Sequence, residues 1–132
     1  MERSETIGDL IAALAKAQAD FTPAFKATTN SAFGSKYADL AANIEAVRPA
    51  LNKHGLAFLQ FPDVDLERQT VSVVTALHHG EQYISQRFEA PAVGRQGFNV
   101  QSIGAATTYL RRYGLQALCG LASEDEIGRA HV

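Results

Sequence analysis

Residues 101–115 read QSIGAATTYLRRYGL, and the way this stretch divides into two faces decides how the rest of the chain is arranged. At a helical period, Ile103, Ala106, Leu110, Tyr113 and Ala117 fall on one side, at spacings of three and four. Gln101, Gly104, Ala105, Thr108 and Arg112 fall on the other, with Arg111 on the flank between them. An ordinary solvated face carries mixed Glu and Lys. This one is small and hydroxylated and ends in paired guanidinium groups, so an anionic backbone can come close and be held by forked hydrogen bonds. A second reading fits the spacing as well: a packed helix whose arginines pair with Glu124, Asp125 and Glu126 downstream.

Upstream, residues 56–90 read as strands. Residues 56–61 form a short apolar run that is expected to end at Pro62, and residues 63–69 a polar connection. Val71, Val73, Thr75 and Leu77 then alternate with Ser72, Val74, Ala76 and His78, a period of two. His79 and Gly80 supply a turn, after which Ile84 and Phe88 alternate with Tyr83, Ser85 and Arg87. The expected fold is α+β, a three-stranded antiparallel meander packed with helices on one face and followed by a long helix. Residues 91–99 make a Gly-containing, weakly basic loop around Arg95.

Two helices are expected before the strands. The first covers residues 5–19, with Thr6 and Asp9 at capping-box spacing and a stripe of Ile7, Leu10, Ile11, Leu14, Ala17 and Phe21. The second covers residues 38–54, with Tyr37, Leu40, Ile44, Val47 and Leu51 on one face. Pro49 should kink it or restart it, and Gly55 should close it in a left-handed conformation. Between them, residues 20–36 lose helical periodicity, and Phe21, Phe25 and Phe33 are interleaved with Lys26 and Lys36. That texture suits either a single-strand binding surface or a loop anchored by its phenylalanines.

Composition bounds the function classes. The chain has 132 residues, 46% hydrophobic and 20% charged, which fits one globular domain over residues 1–132. Its formal net charge of −2 means that any polyanion partner must meet locally concentrated, or repeated, positive charge. One cysteine, Cys119 in an apolar run, allows no internal disulfide and suits a reducing compartment. There is neither a signal-peptide pattern nor a membrane-spanning run. His54, His78, His79 and His131 lack zinc-site spacing, and His78 and His79 point to opposite faces of a strand. No phosphate loop and no Ser-His-acid set is present, so no cofactor is expected and nothing argues for an enzyme. A metal-dependent nuclease using Asp39, Glu124, Asp125 or Glu126 stands as one alternative, and a structural oligomerisation module without DNA binding as another.

Several runs together resemble the ERF family of phage single-strand annealing recombinases. They are Asn30 with SKYADL at 35–40, PAL at 49–51 with HGL at 54–56, VVTALHH at 73–79, and Gln101 with GAATTYLRRYGL at 104–115. The acidic Glu124, Asp125 and Glu126 also suit the family, and the likeness spans roughly residues 8–126. The last block is the most specific. The family in turn looks distantly like the annealing core of eukaryotic RAD-type mediators, a meander followed by a long helix. Members usually continue into a variable C-terminal tail, whereas this chain stops at Val132; the expectation is a trimmed core, which leaves tail-dependent partner contacts open.

The resemblance implies ATP-independent binding of single-stranded DNA and annealing of complementary strands, in the cytoplasm of a bacterial host. It implies a homo-oligomer, ring or helical array, with a phage exonuclease or a host single-strand binding protein as candidate partners. Arg111 and Arg112 are the first candidates for phosphate contacts, followed by Lys36 and Arg95, then Lys26 and Arg87. Tyr37, Phe33 and Tyr109 are candidates for base stacking, and Gly104, Ala105 and Thr108 for close backbone approach.

Overall fold

The computed structural model describes residues 1–22 and 39–121. In order, the elements are β1 (Glu2–Arg3), α1 (Gly8–Ala19), α2 (Leu40–Lys53), β2 (Ala57–Asp65), β3 (Thr70–His79), β4 (Gln82–Pro91) and α3 (Val100–Cys119). The strands form one antiparallel sheet in the order β1-β4-β3-β2. The expected meander is therefore present as β2, β3 and β4, but the sheet has four strands, not three. The fourth, β1, is two polar residues that pair through backbone with Ser85 and Ile84, and a hydrophobic pattern cannot register such a strand.

The alternation in β3 sets the layers. Val71, Val73, Thr75 and Leu77 are each 0% exposed and face the helices, which all pack on that side. Paired with them on the same face are Phe58, Gln60 and Val64 of β2 and Ile84, Phe88 and Ala90 of β4. The opposite face carries Leu59, Phe61, Asp63, Val74, His78, Tyr83, Arg87 and Glu89, with no described element over it.

Pro62 does not end β2; it pairs with Val73, and the strand runs on to Asp65. β2 is an edge strand, where a missing N–H can fall on the open side without removing a ladder bond. Two positions on, the Val64 N–H is taken by Asp63 Oδ1 at 3.0 Å. These two positions of the open edge thus offer no free donor to another strand. The turn between β3 and β4 falls at Gly80, with φ 59°, and Glu81, one residue later than expected.

Helix α1 starts at Gly8, and the capping box expected of Thr6 and Asp9 does not form. Gln82 of β4 does that work instead. Its Oε1 accepts from the Leu10 N–H at 2.9 Å, and its Nε2 donates to Thr6 Oγ1 at 3.3 Å. In α2, Asp39 is the N-cap and accepts from the Ala42 N–H at 2.7 Å. Pro49 sits inside the helix on its exposed side without ending it. Gly55, φ 79°, closes it as expected; its N–H reaches the Asn52 carbonyl and the Leu56 N–H the Leu51 carbonyl, two bonds of a Schellman ending.

The main core joins Leu10 and Leu14 of α1, Val47 and Leu51 of α2, Leu77 of β3, and Leu115 and Cys119 of α3. Each such leucine stabilises the fold by about 1.5–3 kcal/mol through burial. A smaller cluster, Val71, Val73, Ala92 and Leu110, sits under the N-terminal half of α3. Within the core, Gln116 Nε2 donates to Asn43 Oδ1 at 3.0 Å, tying α3 to α2.

Candidate nucleic-acid interface

Helix α3 is launched by its own cap. Asn99 Oδ1 accepts from the Ser102 N–H at 2.9 Å, and Ser102 Oγ accepts from the Asn99 N–H at 2.8 Å, a reciprocal pair that satisfies two otherwise orphaned donors. Gly120, φ 77°, ends it. The twenty residues between contain no Asp or Glu, so nothing on this helix offsets its arginines.

Which side of α3 lies on the sheet is decided by a glycine. A side chain at Gly114 would put its Cβ 2.6 Å from Thr75 Oγ1 and 3.4 Å from the Phe88 ring. Hydrogen at this position lets helix and central strand approach. The buried stripe therefore runs Leu110, Gly114, Leu115, Gln116 and Cys119. Ile103 and Ala106 pack as expected, but Tyr113 and Ala117 do not lie in the core; Tyr113 is 41% exposed. Aromatic bulk marked Tyr113 as core in the periodic reading, whereas contact with the sheet selects the smallest residue beside it.

Tyr113 stands on Phe88 of β4, edge to face, with ring centroids 5.0 Å apart at 85°. Tyr109, one turn earlier and 53% exposed, lies parallel to Tyr113, with centroids 6.1 Å apart and planes within 6°. The Arg112 guanidinium carbon is 5.6 Å from the Tyr109 ring centre, a cation–π approach. Gln101, Gly104, Ala105 and Thr108 are exposed along the same side, as the sequence implies.

The two arginines have different surroundings. Arg111 turns toward β2: its Nε donates to Gln60 Oε1 at 3.1 Å, while Gln60 Nε2 donates to the Arg111 carbonyl at 2.8 Å and to Thr75 Oγ1 at 2.9 Å. It fastens the helix to the sheet. The Arg112 guanidinium lies over the Tyr109 ring.

Of the other candidates, Arg95 is exposed at the tip of a small loop closed by two Gly94–Gly97 backbone bonds of 3.0 Å. That loop borders a shallow cleft of about 320 Å³ with Asn99, Gln101 and Ser102, at the start of α3. At about 1.5 Å per residue, Arg95 and Arg112 flank a helical track of roughly 20 Å. Arg87 is on the opposite face of the sheet, bonded to Glu89 at 3.3 Å, and is not brought together with Arg112. Lys26, Lys36, Tyr37, Phe33 and the acidic Glu124, Asp125 and Glu126 lie outside the described residues. Phe88, Tyr113 and Gln60 were not anticipated. The only sequence signal for them was Tyr109 and Tyr113 at a spacing of four.

Among the described residues, no three His, Cys, Asp or Glu side chains gather as a metal site would require. His78 stacks on Tyr83 at 5.8 Å on the outer face, while His79 lies toward Gly55 on the other. Burial pushes the Cys119 thiol up to about 12, so it stays protonated and unreactive at neutral pH. No described helix is long and apolar enough to cross a membrane.

No curated protein and no solved structure matches the chain. The family model of the ERF superfamily matches residues 10–127, from within α1 to beyond α3, and the chain belongs to that superfamily.

Proposed function

We propose that the protein binds single-stranded DNA along the exposed side of α3 and promotes annealing of complementary strands without nucleotide, in phage-type homologous recombination. The observation that carries this reading is a helix free of carboxylates whose outer side sets Arg112 against two stacked tyrosines. Membership of the ERF superfamily supports it. Arg112 holds phosphate, and Arg95 extends the track at the helix start. Gly104, Ala105 and Thr108 allow the backbone close. Lys26, Lys36 and Tyr37 remain proposed contacts from the sequence alone. Arg111 acts through Gln60 by keeping the helix seated. Arg87 is better explained by its ion pair with Glu89. The order of a meander followed by one long helix supports the distant likeness to RAD-type mediators.

Annealing requires a grip that leaves base edges open, and phosphate contacts give that grip without reading sequence. With a net charge of −2, one subunit offers few cations, so the reading includes a ring or helical array that repeats the α3 track. Complementary oligonucleotides mixed with protein alone should pair faster than unaided strands, with the protein oligomeric by light scattering. A strict ATP requirement, or a protein that stays monomeric with DNA at micromolar concentration, would sink the proposal. Cleavage of labelled strands in Mg²⁺ would mark a nuclease instead.

A further inference from the structure

We infer that Tyr109 and Tyr113 form a stacking platform for unpaired nucleobases, so the α3 site takes the faces of bases as well as phosphates. This rests on the single-strand reading above and adds to it a second kind of contact.

Three observations converge on the platform. First, both rings are large, aromatic and substantially exposed, at 53% and 41%, on a helix that could have carried small polar residues there. Second, the rings are preorganised. They lie parallel within 6°, and Tyr113 is braced by the near-perpendicular ring of Phe88, which is anchored in β4. A side chain already held flat loses little freedom when a base settles on it. Third, Arg112 lies 5.6 Å from the Tyr109 ring, and no carboxylate lies on α3. A base that reaches the rings therefore brings its phosphate to a cation.

The outer face of the sheet provides the contrast. Phe61 is exposed there to 54%, but Asp63 shares its strand face, and Arg87, in register across β3, is held by Glu89 at 3.3 Å. An aromatic ring alone is not the signal; the alignment of two rings beside a guanidinium is.

The chemistry fits annealing. Stacking engages the face of a base and leaves its Watson–Crick edge exposed to an incoming strand. It is tolerant of sequence because every base has a π-face. Within a duplex the faces are already covered by neighbouring pairs, so the same platform favours single over double strands.

The test compares an oligothymidylate with an abasic oligomer of equal length and charge, by fluorescence anisotropy at fixed salt. The intact protein should prefer the base-bearing strand by roughly five-fold or more. Tyr109→Phe should keep that preference. Tyr109→Leu should lose most of it while binding the abasic strand as before and keeping the salt dependence, since no phosphate contact is removed. Equal affinity of the intact protein for both strands would overturn the platform and leave phosphate binding standing. An equal loss on both strands in Tyr109→Leu would overturn it too, because it would mean that the ring serves only to position Arg112. Binding to neither strand would remove the single-strand reading itself.

Discussion

Two surfaces of this molecule look alike in exposure and differ in charge. The outer face of the sheet and the outer side of α3 each show a half-exposed aromatic ring, Phe61 at 54% and Tyr109 at 53%. Around Phe61 are Asp63 and Asp65, and across the sheet Glu89 is bonded to Arg68 and Arg87 at 3.3 Å each. Around Tyr109 are Arg112, Tyr113 and small side chains. In a chain of net charge −2, this partition leaves α3 with arginines and no carboxylate of its own, while on the sheet face the cations Arg68 and Arg87 are matched by Glu89. Apolar exposure alone would not have distinguished the two; the placement of carboxylates does.

The contrast depends on α3 lying close against β3, so the largest effect should come from Gly114. Gly114→Ala would place a methyl 2.6 Å from Thr75 Oγ1 and should cost about 1–3 kcal/mol in urea unfolding. Adding Thr75→Ala should restore part of that loss; no restoration would mean that the close approach is not what requires glycine.

A sharper cut runs between neighbouring arginines. Arg112→Ala should weaken single-strand binding about ten-fold per folded molecule and make the log–log salt slope shallower by roughly 0.7. Arg111→Ala removes a bond to Gln60 and should cost about 0.5–1.5 kcal/mol of stability, with normal binding per folded molecule. If the two variants exchange these phenotypes, the assignment of Arg112 to the ligand and Arg111 to the fold is wrong.

Smaller effects belong to the sheet face. The Thr70 hydroxyl, then Arg68 and Arg87, hold Glu89 below its ordinary value of 4.5. A carboxylate lowered in the folded state adds stability that is present above the ordinary value and lost as pH falls through the lowered one. Glu89→Gln should therefore flatten a small acid-side step in stability between those two values; an unchanged profile would show that the ion cluster does not contribute. Smallest of all, Phe61→Ser should change neither affinity nor, beyond about 0.5 kcal/mol, stability. A clear loss of DNA binding there would erase the distinction between the two surfaces.

Much of this was legible in the sequence, and the exceptions have causes. β3 was readable because Val71, Val73, Thr75 and Leu77 alternate strictly, and α2 because Leu40, Ile44, Val47 and Leu51 recur on one face and Gly55 closes it, although its cap at Asp39 was not read. The exposed side of α3, with Gly104, Ala105, Thr108 and Arg112, followed from helical spacing. β1 was invisible because backbone pairing leaves no side-chain pattern. Pro62 misled because the rule that proline ends a strand applies to central strands, and β2 is at the edge. Tyr113 was assigned inward because hydrophobicity counts size and not fit. Its neighbour Gly114 was the inward residue, and only the distance to Thr75 reveals that. The division of labour between Arg111 and Arg112 needed Gln60, fifty-one positions away.

The long-range cap on α1 has a consequence for how the chain acquires its shape. The helix has no side-chain cap of its own, and the bond to its Leu10 N–H comes from Gln82, seventy-two positions later. Twelve residues are too few to hold helical form alone in water. Its order therefore depends on packing against later elements and on a cap from a strand synthesised much later, and a ribosome-bound or isolated segment ending before β4 should show little helix at its N-terminus. We expect the meander to close first and the N-terminal helix to dock late, so substitutions within α1 should leave the folding rate of the chain nearly unchanged and speed its unfolding.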